Sequence, residues 1–163
     1  MAEESKPVEV SRTIGLSAGR IFEILANPKL HMDFDGSGML RGAVFDRPIT
    51  GVGDGFAMKM NRLGNDYLML NHVVEFEPDR RIFWEPAPGD LGPAGGDPSN
   101  VGIPTGYRWG FILTQDGDDT TIVTEVFDYG TAPEEIRQAV REGGEWVEAI
   151  TFSLEKLEAL CTR

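Results

Sequence analysis

The sequence predicts an α+β fold: a run of antiparallel strands with helices at both ends, closed by a long C-terminal helix. Two observations carry this. Segments of period-two hydrophobicity follow one another from Val8 to Tyr129, most of them separated only by turn signals, and such succession means antiparallel pairing. Helical patterns stand near the start and at the end of that run rather than between every pair of strands, which argues α+β over α/β.

Val8 to Ile14 is the first strand, with Val8, Val10, Arg12 and Ile14 on one side. Ser17 is placed to cap a short helix bearing Ile21, Ile24 and Leu25. Asn27-Pro28 ends it and starts another, with Asn27 as cap and Pro28 in the first turn. In that second helix Leu30 and Phe34 share a face, as do His31 and Asp35. Gly36-Ser37-Gly38 breaks the chain. Met39 to Phe45 and Gly53 to Arg62 are strands, the latter with Phe56, Met58 and Met60 on one side. After the Gly64-Asn65 turn, Tyr67 to Glu77 places Leu68, Leu70, His72, Val74 and Phe76 in one register. Pro78-Asp79 turns the chain into Arg80 to Glu85, where Ile82 and Trp84 align. Tyr107 to Thr114 aligns Tyr107, Trp109, Phe111 and Leu113. Asp116-Gly117-Asp118 is a hairpin turn, and Thr120 to Tyr129 is the last strand.

Thr131 to Leu160 reads as the closing helix. Thr131-Ala132-Pro133-Glu134 has capping-box spacing, with Pro in the first turn. Ile136, Val140, Gly143, Val147, Ile150, Leu154, Leu157 and Cys161 form one stripe, and Glu148, Glu155 and Lys156 lie opposite. Gly143-Gly144 reads as a kink or a place of close approach, with two separate helices as the alternative. Phe152 falls on the solvated face. It is either a single exposed apolar residue or a contact, with a second subunit in a homodimer or with the Pro28–Phe34 helix.

The pieces SRTIGLSAGRIFEILANPKLHMDFDGSG (Ser11 to Gly38), VVEFEPDRRIFWEP (Val73 to Pro86), YRWGFILTQDGDDTTIVTEVFDYG (Tyr107 to Gly130) and GEWVEAITFSLEKLEAL (Gly144 to Leu160) resemble, in order, the polyketide cyclase/dehydrase branch of the START-related superfamily. The resemblance covers most of the chain and has no short diagnostic motif. It implies a single helix-grip domain over 1–163: a curved antiparallel sheet of about seven strands gripping the C-terminal helix, with a cavity between. Ala87 to Gly106 departs from a compact sheet. Its Gly and Pro content makes it a long loop (87–106), either a cavity lid or an insertion without a role.

At 163 residues the chain is long enough for a sizeable core. No apolar run approaches the ~20 residues of a membrane span, so no membrane insertion is expected. The polar, acidic N-terminus does not read as a signal peptide, and Cys161 has no disulfide partner; a cytoplasmic location is the expectation. A net charge of −12 argues against nucleic acid as a partner. Arg80-Arg81, beside Asp79, reads as a solvated turn.

No metal or cofactor is expected. The two His have no ligand spacing, and His31, Asp33 and Asp35 do not face one way on a helix. Gly51-Val52-Gly53-Asp54-Gly55 lacks the Lys-Ser/Thr and helix of a phosphate loop. Cys161 has no His in a nucleophile pattern. Glu125 and Asp128 lie on opposite faces of their strand and make no obvious acid–base pair. The stronger signal is apolar and soft: Phe56, Met58, Met60, Leu68, Leu70, Trp84, Tyr107, Trp109 and Phe111 fall on single strand faces. Periodicity alone suits an ordinary core; the resemblance implies a pocket for a hydrophobic small molecule such as a lipid, fatty acid or polyketide-like aromatic. His72 is the one titratable group in its register, either a satisfied core residue or a polar anchor. Two other functions stay open. One is a cyclase or dehydratase using His72 and Tyr107 for proton transfer. The other is a protein-interaction module with a vestigial cavity.

Overall fold

The computed structural model describes residues 6–44, 47–92, 95, 97–142 and 144–162. Seven strands make one antiparallel sheet: β1 (Val8–Ile14), β2 (Leu40–Ala43), β3 (Gly55–Arg62), β4 (Asn65–Glu77), β5 (Arg81–Pro88), β6 (Arg108–Gln115) and β7 (Thr121–Asp128). Their order is β1-β7-β6-β5-β4-β3-β2. β2 to β7 therefore form a meander, and β1 joins by pairing with β7. The sheet curls so that one face is concave. Among the described residues four α-helices accompany it: α1 (Ala18–Leu25), α2 (His31–Phe34), α3 (Glu134–Glu142) and α4 (Glu145–Cys161).

The expected caps are present. Ser17 Oγ accepts from the Arg20 amide at 3.4 Å, and Asn27 Oδ1 accepts from the Lys29 amide at 3.2 Å. Pro28 opens a 3-10 turn, Pro28–Leu30, that leads directly into α2. The β3–β4 hairpin turns at Leu63 and Gly64, both with positive φ (53° and 84°), as a tight two-residue hairpin requires. Phe45, the expected end of β2, lies outside the described residues.

Helix α4 packs on β1 and β7, at one edge of the sheet. Helix α2 packs against both α4 and β2, the strand at the other edge. The curl is closed where these meet. The Gly36 amide donates to Ser153 Oγ at 2.7 Å, and Lys156 Nζ donates to the Asp35 carbonyl at 3.0 Å. A Cβ on Gly36 would fall against the Ala149 carbonyl oxygen and, at 2.5 Å, the Ser153 amide nitrogen. A close backbone approach to α4 is thus found at Gly36, over a small-residue patch of the helix.

The C-terminal segment is two helices. α3 ends at Glu142 and α4 starts at Glu145, with Gly144 as its N-cap. Gly143, expected on the stripe, lies outside the described residues. Ile150, Leu154 and Leu157 are buried as the stripe requires, but Val147 is 49% exposed and Trp146 turns inward in its place. The break between helices resets the phase. The Thr131 hydroxyl donates to the Gly106 carbonyl at 2.6 Å, tying the start of α3 to the β5–β6 loop. Phe152 is 52% exposed, with the Lys156 ammonium 5.5 Å from its ring centroid.

Strand β4 departs from the expected register. Val73 pairs with Trp84 and Glu75 with Phe83, so one extra residue, Val74, is accommodated in a bulge. Before the bulge, Tyr67, Met69, Asn71 and Val73 share the face of Met60, Met58, Phe56 and Trp84, which is the concave one. Leu68, Leu70 and His72 are on the convex face. Beyond the bulge, Phe76 pairs with Ile82 and faces inward as expected. Strict alternation cannot reveal such a shift, and Tyr67-Leu68-Met69-Leu70 is apolar in either register.

Gly36→Ala is expected to destabilise the fold by roughly 1–3 kcal/mol, the usual cost of overpacking, because the contacted α4 atoms are backbone. Urea denaturation checks this; a midpoint within error of wild type would mean that the turn can lift off α4 at little cost.

Candidate functional site

Burial along the concave face is graded. At one end Ile14, Ile21, Leu25, Ile82, Val123 and Leu157 are wholly inaccessible. Toward the β5–β6 connection, Trp84, Trp109, Tyr107, Met69 and Tyr67 are only half-buried, although they stand on inner strands or face α4. Trp146 of α4 and Ile136 of α3 are half-buried at the same end. Side chains on the concave face are therefore fully buried at one end and partly exposed at the other.

Two aromatic groups line it. In one, Trp109 stacks on Phe127 with centroids 4.2 Å apart, and Trp146 meets both edge-on at 5.5 and 5.1 Å. Tyr107 adds a T-shaped contact to Phe127 at 5.8 Å. In the other, His31 stacks on Trp84 at 5.3 Å, and Phe56 packs edge-on against both at 5.4 Å. Phe111 stands 6.1 Å from both Trp84 and Phe34. Such offset and edge-on pairs satisfy the ring quadrupoles and fix the rings in place.

The polar groups inside are few. His31 is 4% exposed, and its Nε2 lies 2.8 Å from the Leu25 carbonyl. A carbonyl only accepts, so Nε2 carries the proton and Nδ1 the lone pair. Burial drives its pKa down to about 4 against the opposing pull of the Leu25 carbonyl and Asp35, so the ring is neutral at pH 7. Glu125 faces inward from β7, paired with Val10 and Phe111, and is 6% exposed. Its Oε2 is buried without a hydrogen-bond partner. Burial, with the nearby Asp35 charge, raises its pKa well above the ordinary carboxylate value. Burial also raises the Tyr67 phenol. Among the described residues, no group of three or more His, Cys, Asp or Glu is placed to hold a metal ion.

The structure brings together Phe56, Met58, Met60, Trp84, Tyr107, Trp109 and Phe111 on the concave face. It separates Leu68, Leu70 and His72 from them. His72 Nε2 instead meets the Gly102 carbonyl at 2.9 Å, and the loop continues beside β5 through Gly102 N–Pro88 O (2.8 Å) and Thr105 N–Pro86 O (3.4 Å) bonds. His72 thus helps tie down the long loop from the convex side; Pro93, within that loop, lies outside the described residues. The acid–base pairing of His72 with Tyr107 has no geometric basis, since the two side chains lie on opposite faces. Sequence reasoning passed over His31 and Glu125. The available signals were His31 on the apolar side of a capped turn and Glu125 amid Val123 and Phe127 on one strand face. Two surface depressions flank the open end. One of about 430 Å³ lies by Arg41, Lys59, Met60 and Tyr67; the other, about 270 Å³, lies by Glu85, Tyr107, Arg108 and Asp128. Asp128 belongs to the latter, away from Glu125.

No protein-family model matches the chain. An uncharacterized protein of Mycobacterium tuberculosis is 28% identical over 152 residues, which are 92% of this chain and 58% of that protein. The chain thus spans a little over half the length of the curated relatives it matches. Among solved structures, a Mycobacterium smegmatis protein superposes with a TM-score of 0.66 at 18% identity, covering 97% of this chain and 92% of that one. A protein from Arthrobacter aurescens gives 0.69 at 12% identity, covering 98% and 87%. Norcoclaurine synthase from Thalictrum flavum, solved with dopamine and hydroxybenzaldehyde, gives 0.59 at 13% identity, covering 96% and 86%. The chain has a helix-grip fold. Its helices include none long and apolar enough to cross a membrane, among the described residues.

The two buried titratable groups predict opposite pH slopes. The unfolded chain protonates a His near 6.5 while folded His31 stays neutral to about 4, so stability falls as pH drops from 6.5 toward 4, by about 3 kcal/mol in full. Folded Glu125 keeps a proton that the unfolded chain releases above about 4.5, so its linkage lowers stability as pH rises beyond that. Glu125→Gln should flatten the decline of the urea midpoint as pH rises above about 4.5. An unchanged slope in the variant would assign that decline to other groups.

His72→Ala should leave the sheet intact and speed hydrogen exchange in residues 100–105 severalfold, since the side chain holds that stretch by one bond. Exchange unaltered there, with slowed or lost folding, would make His72 a packing residue.

Proposed function

We propose that this chain, a single START-related helix-grip domain, binds a hydrophobic small molecule in the concave face, entering from the end bounded by the β5–β6 loop, α3 and the N-terminal turn of α4. The observation that carries the reading is the set of half-buried rings there: Trp84, Tyr107, Trp109 and Trp146 are inward yet accessible. Flat, fixed aromatic walls with few polar groups suit an apolar or ring-bearing ligand. The long loop takes the part of a lid, held at its base by His72 and Thr131. Phe152, on the outer side of α4, is where a second copy of the chain would dock.

The enzyme reading, a cyclase or dehydratase of the polyketide branch, draws on one observation: two ionisable side chains, His31 and Glu125, are buried inside the same face, where burial favours their uncharged forms. They would replace His72 as the proton-handling groups, alongside Tyr107. The liganded norcoclaurine synthase structure shares the fold at 13% identity and lends no residue to this reading.

Native mass spectrometry of protein purified from its own host should show a copurifying small molecule at one per chain. With purified, delipidated protein, the neutral probe N-phenyl-1-naphthylamine should bind saturably with enhanced fluorescence. Trp109→Ala should weaken it by up to about tenfold, the scale of one aromatic contact. Absence of both copurified ligand and saturable probe binding would favour a closed interior and the interaction-module reading.

A further inference from the structure

We propose that Glu125 donates a hydrogen bond from the depth of the concave face to a neutral carbonyl oxygen of the ligand, so that the ligand is a ring-bearing ketone or related carbonyl compound and not a carboxylate. The proposal rests on the reading of that face as a ligand site.

Glu125 lies on the same face of β7 as Phe127, two residues further in. At strand spacing that is about 7 Å beyond the ring on which Trp109 stacks. A flat molecule lying along the Trp109 and Trp84 rings would bring its leading atom to this level. Glu125 Oε2 is the one buried, partnerless oxygen of a carboxyl among the described residues. A buried polar atom left without a partner costs about 1–3 kcal/mol, and native interiors keep few of them without a purpose. A ligand oxygen would remove that cost.

The surroundings choose the protonation state and hence the ligand charge. Asp35, from the turn after α2, is the charge that acts on Glu125, and its sign is negative. Asp35 itself accepts from Ser37 N, Ser37 Oγ and the Leu40 amide, so it stays in place. His31 of α2 is neutral and bonded to Leu25. Arg12, on the inner side of β1, is held by Glu158 of α4 at 2.9 Å; its partnerless Nε lies at the Val123 register, one step toward the sealed end. Lys156 of α4 is turned to the Asp35 carbonyl. Strand β6 contributes Phe111. No cation faces Glu125 from these elements, and burial beside Asp35 favours the protonated carboxyl, which has an O–H to give. A ligand carboxylate brought here would meet Asp35 and a chain of net charge −12. A neutral carbonyl meets a donor.

Three ring-matched probes test this by quenching of tryptophan fluorescence: 2-acetylnaphthalene, 2-ethylnaphthalene and 2-naphthoate. Wild type should bind the ketone about tenfold more tightly than the hydrocarbon, and the carboxylate more weakly than either. Glu125→Gln keeps a donor and should keep the ketone preference; Glu125→Leu should abolish it while still binding the hydrocarbon. Infrared difference spectra give a readout that survives a poorly folding Leu variant. The protonated carboxyl band, identified by its loss in Glu125→Gln, should shift on addition of ketone and stay put with hydrocarbon. Equal ketone and hydrocarbon affinities in wild type, a preference that persists in Glu125→Leu, tighter binding of naphthoate, or an unmoved carboxyl band would each overturn the proposal while leaving a ligand site standing. Failure of all three probes to bind would remove the ligand site itself, and this proposal with it.

Discussion

The seating of the Gly36 turn on α4 is the contact on which the rest of the architecture depends. A seven-stranded meander has two edges, and here β1 carries α4 while β2 lies far across the sheet. Helix α2 spans the distance by touching both α4 and β2. It can do so only because backbone meets backbone at Gly36, where no side chain intervenes and Ser153 supplies a part-buried hydrogen bond. With that contact the sheet is held curled and the concave face becomes an interior. Without it the same strands would form an open sheet, with one apolar face in water.

Within that interior, packing and openness are divided along the strands. Aliphatic side chains from β1, α1, β5 and α4 fill the sealed end at full burial. Rings occupy the other end, where Trp146 of α4 packs on Trp109 and Phe127 and the rings of Trp84, Tyr107 and Trp109 stay partly exposed. The division also sets the electrostatics. The sealed and middle regions hold His31 and Glu125 in surroundings that penalise charge, so the pKa of the base is pushed down and that of the acid up for the same physical reason. The convex face is built differently. Phe83 lies over Gly110, and the Arg81 and Arg108 guanidinium groups stand 5.0 and 6.0 Å from its ring, paired with Glu75 and Glu85. That layer covers the outer side of the central strands with a salt-bridged lattice.

Local patterns in the chain were sufficient for the α+β class, the strand succession, the caps at Ser17 and Asn27 and the inward set Phe56, Met58, Met60, Trp84, Trp109 and Phe111. These depend on alternation and on hydrogen bonds between near neighbours, which the order of residues determines directly. Tertiary structure alone decided the rest. The bulge at Val74 moved Leu68, Leu70 and His72 to the convex face, because a strand's register answers to its partner strands and not to its own alternation. The break at Gly144 rotated α4, so that Trp146 and not Val147 looks inward. Gly36 and Ser153 met across more than a hundred positions, and Asp35 came to act on Glu125. Burial and long-range electrostatics are properties of what the fold brings near, and neither is written in any short stretch of sequence.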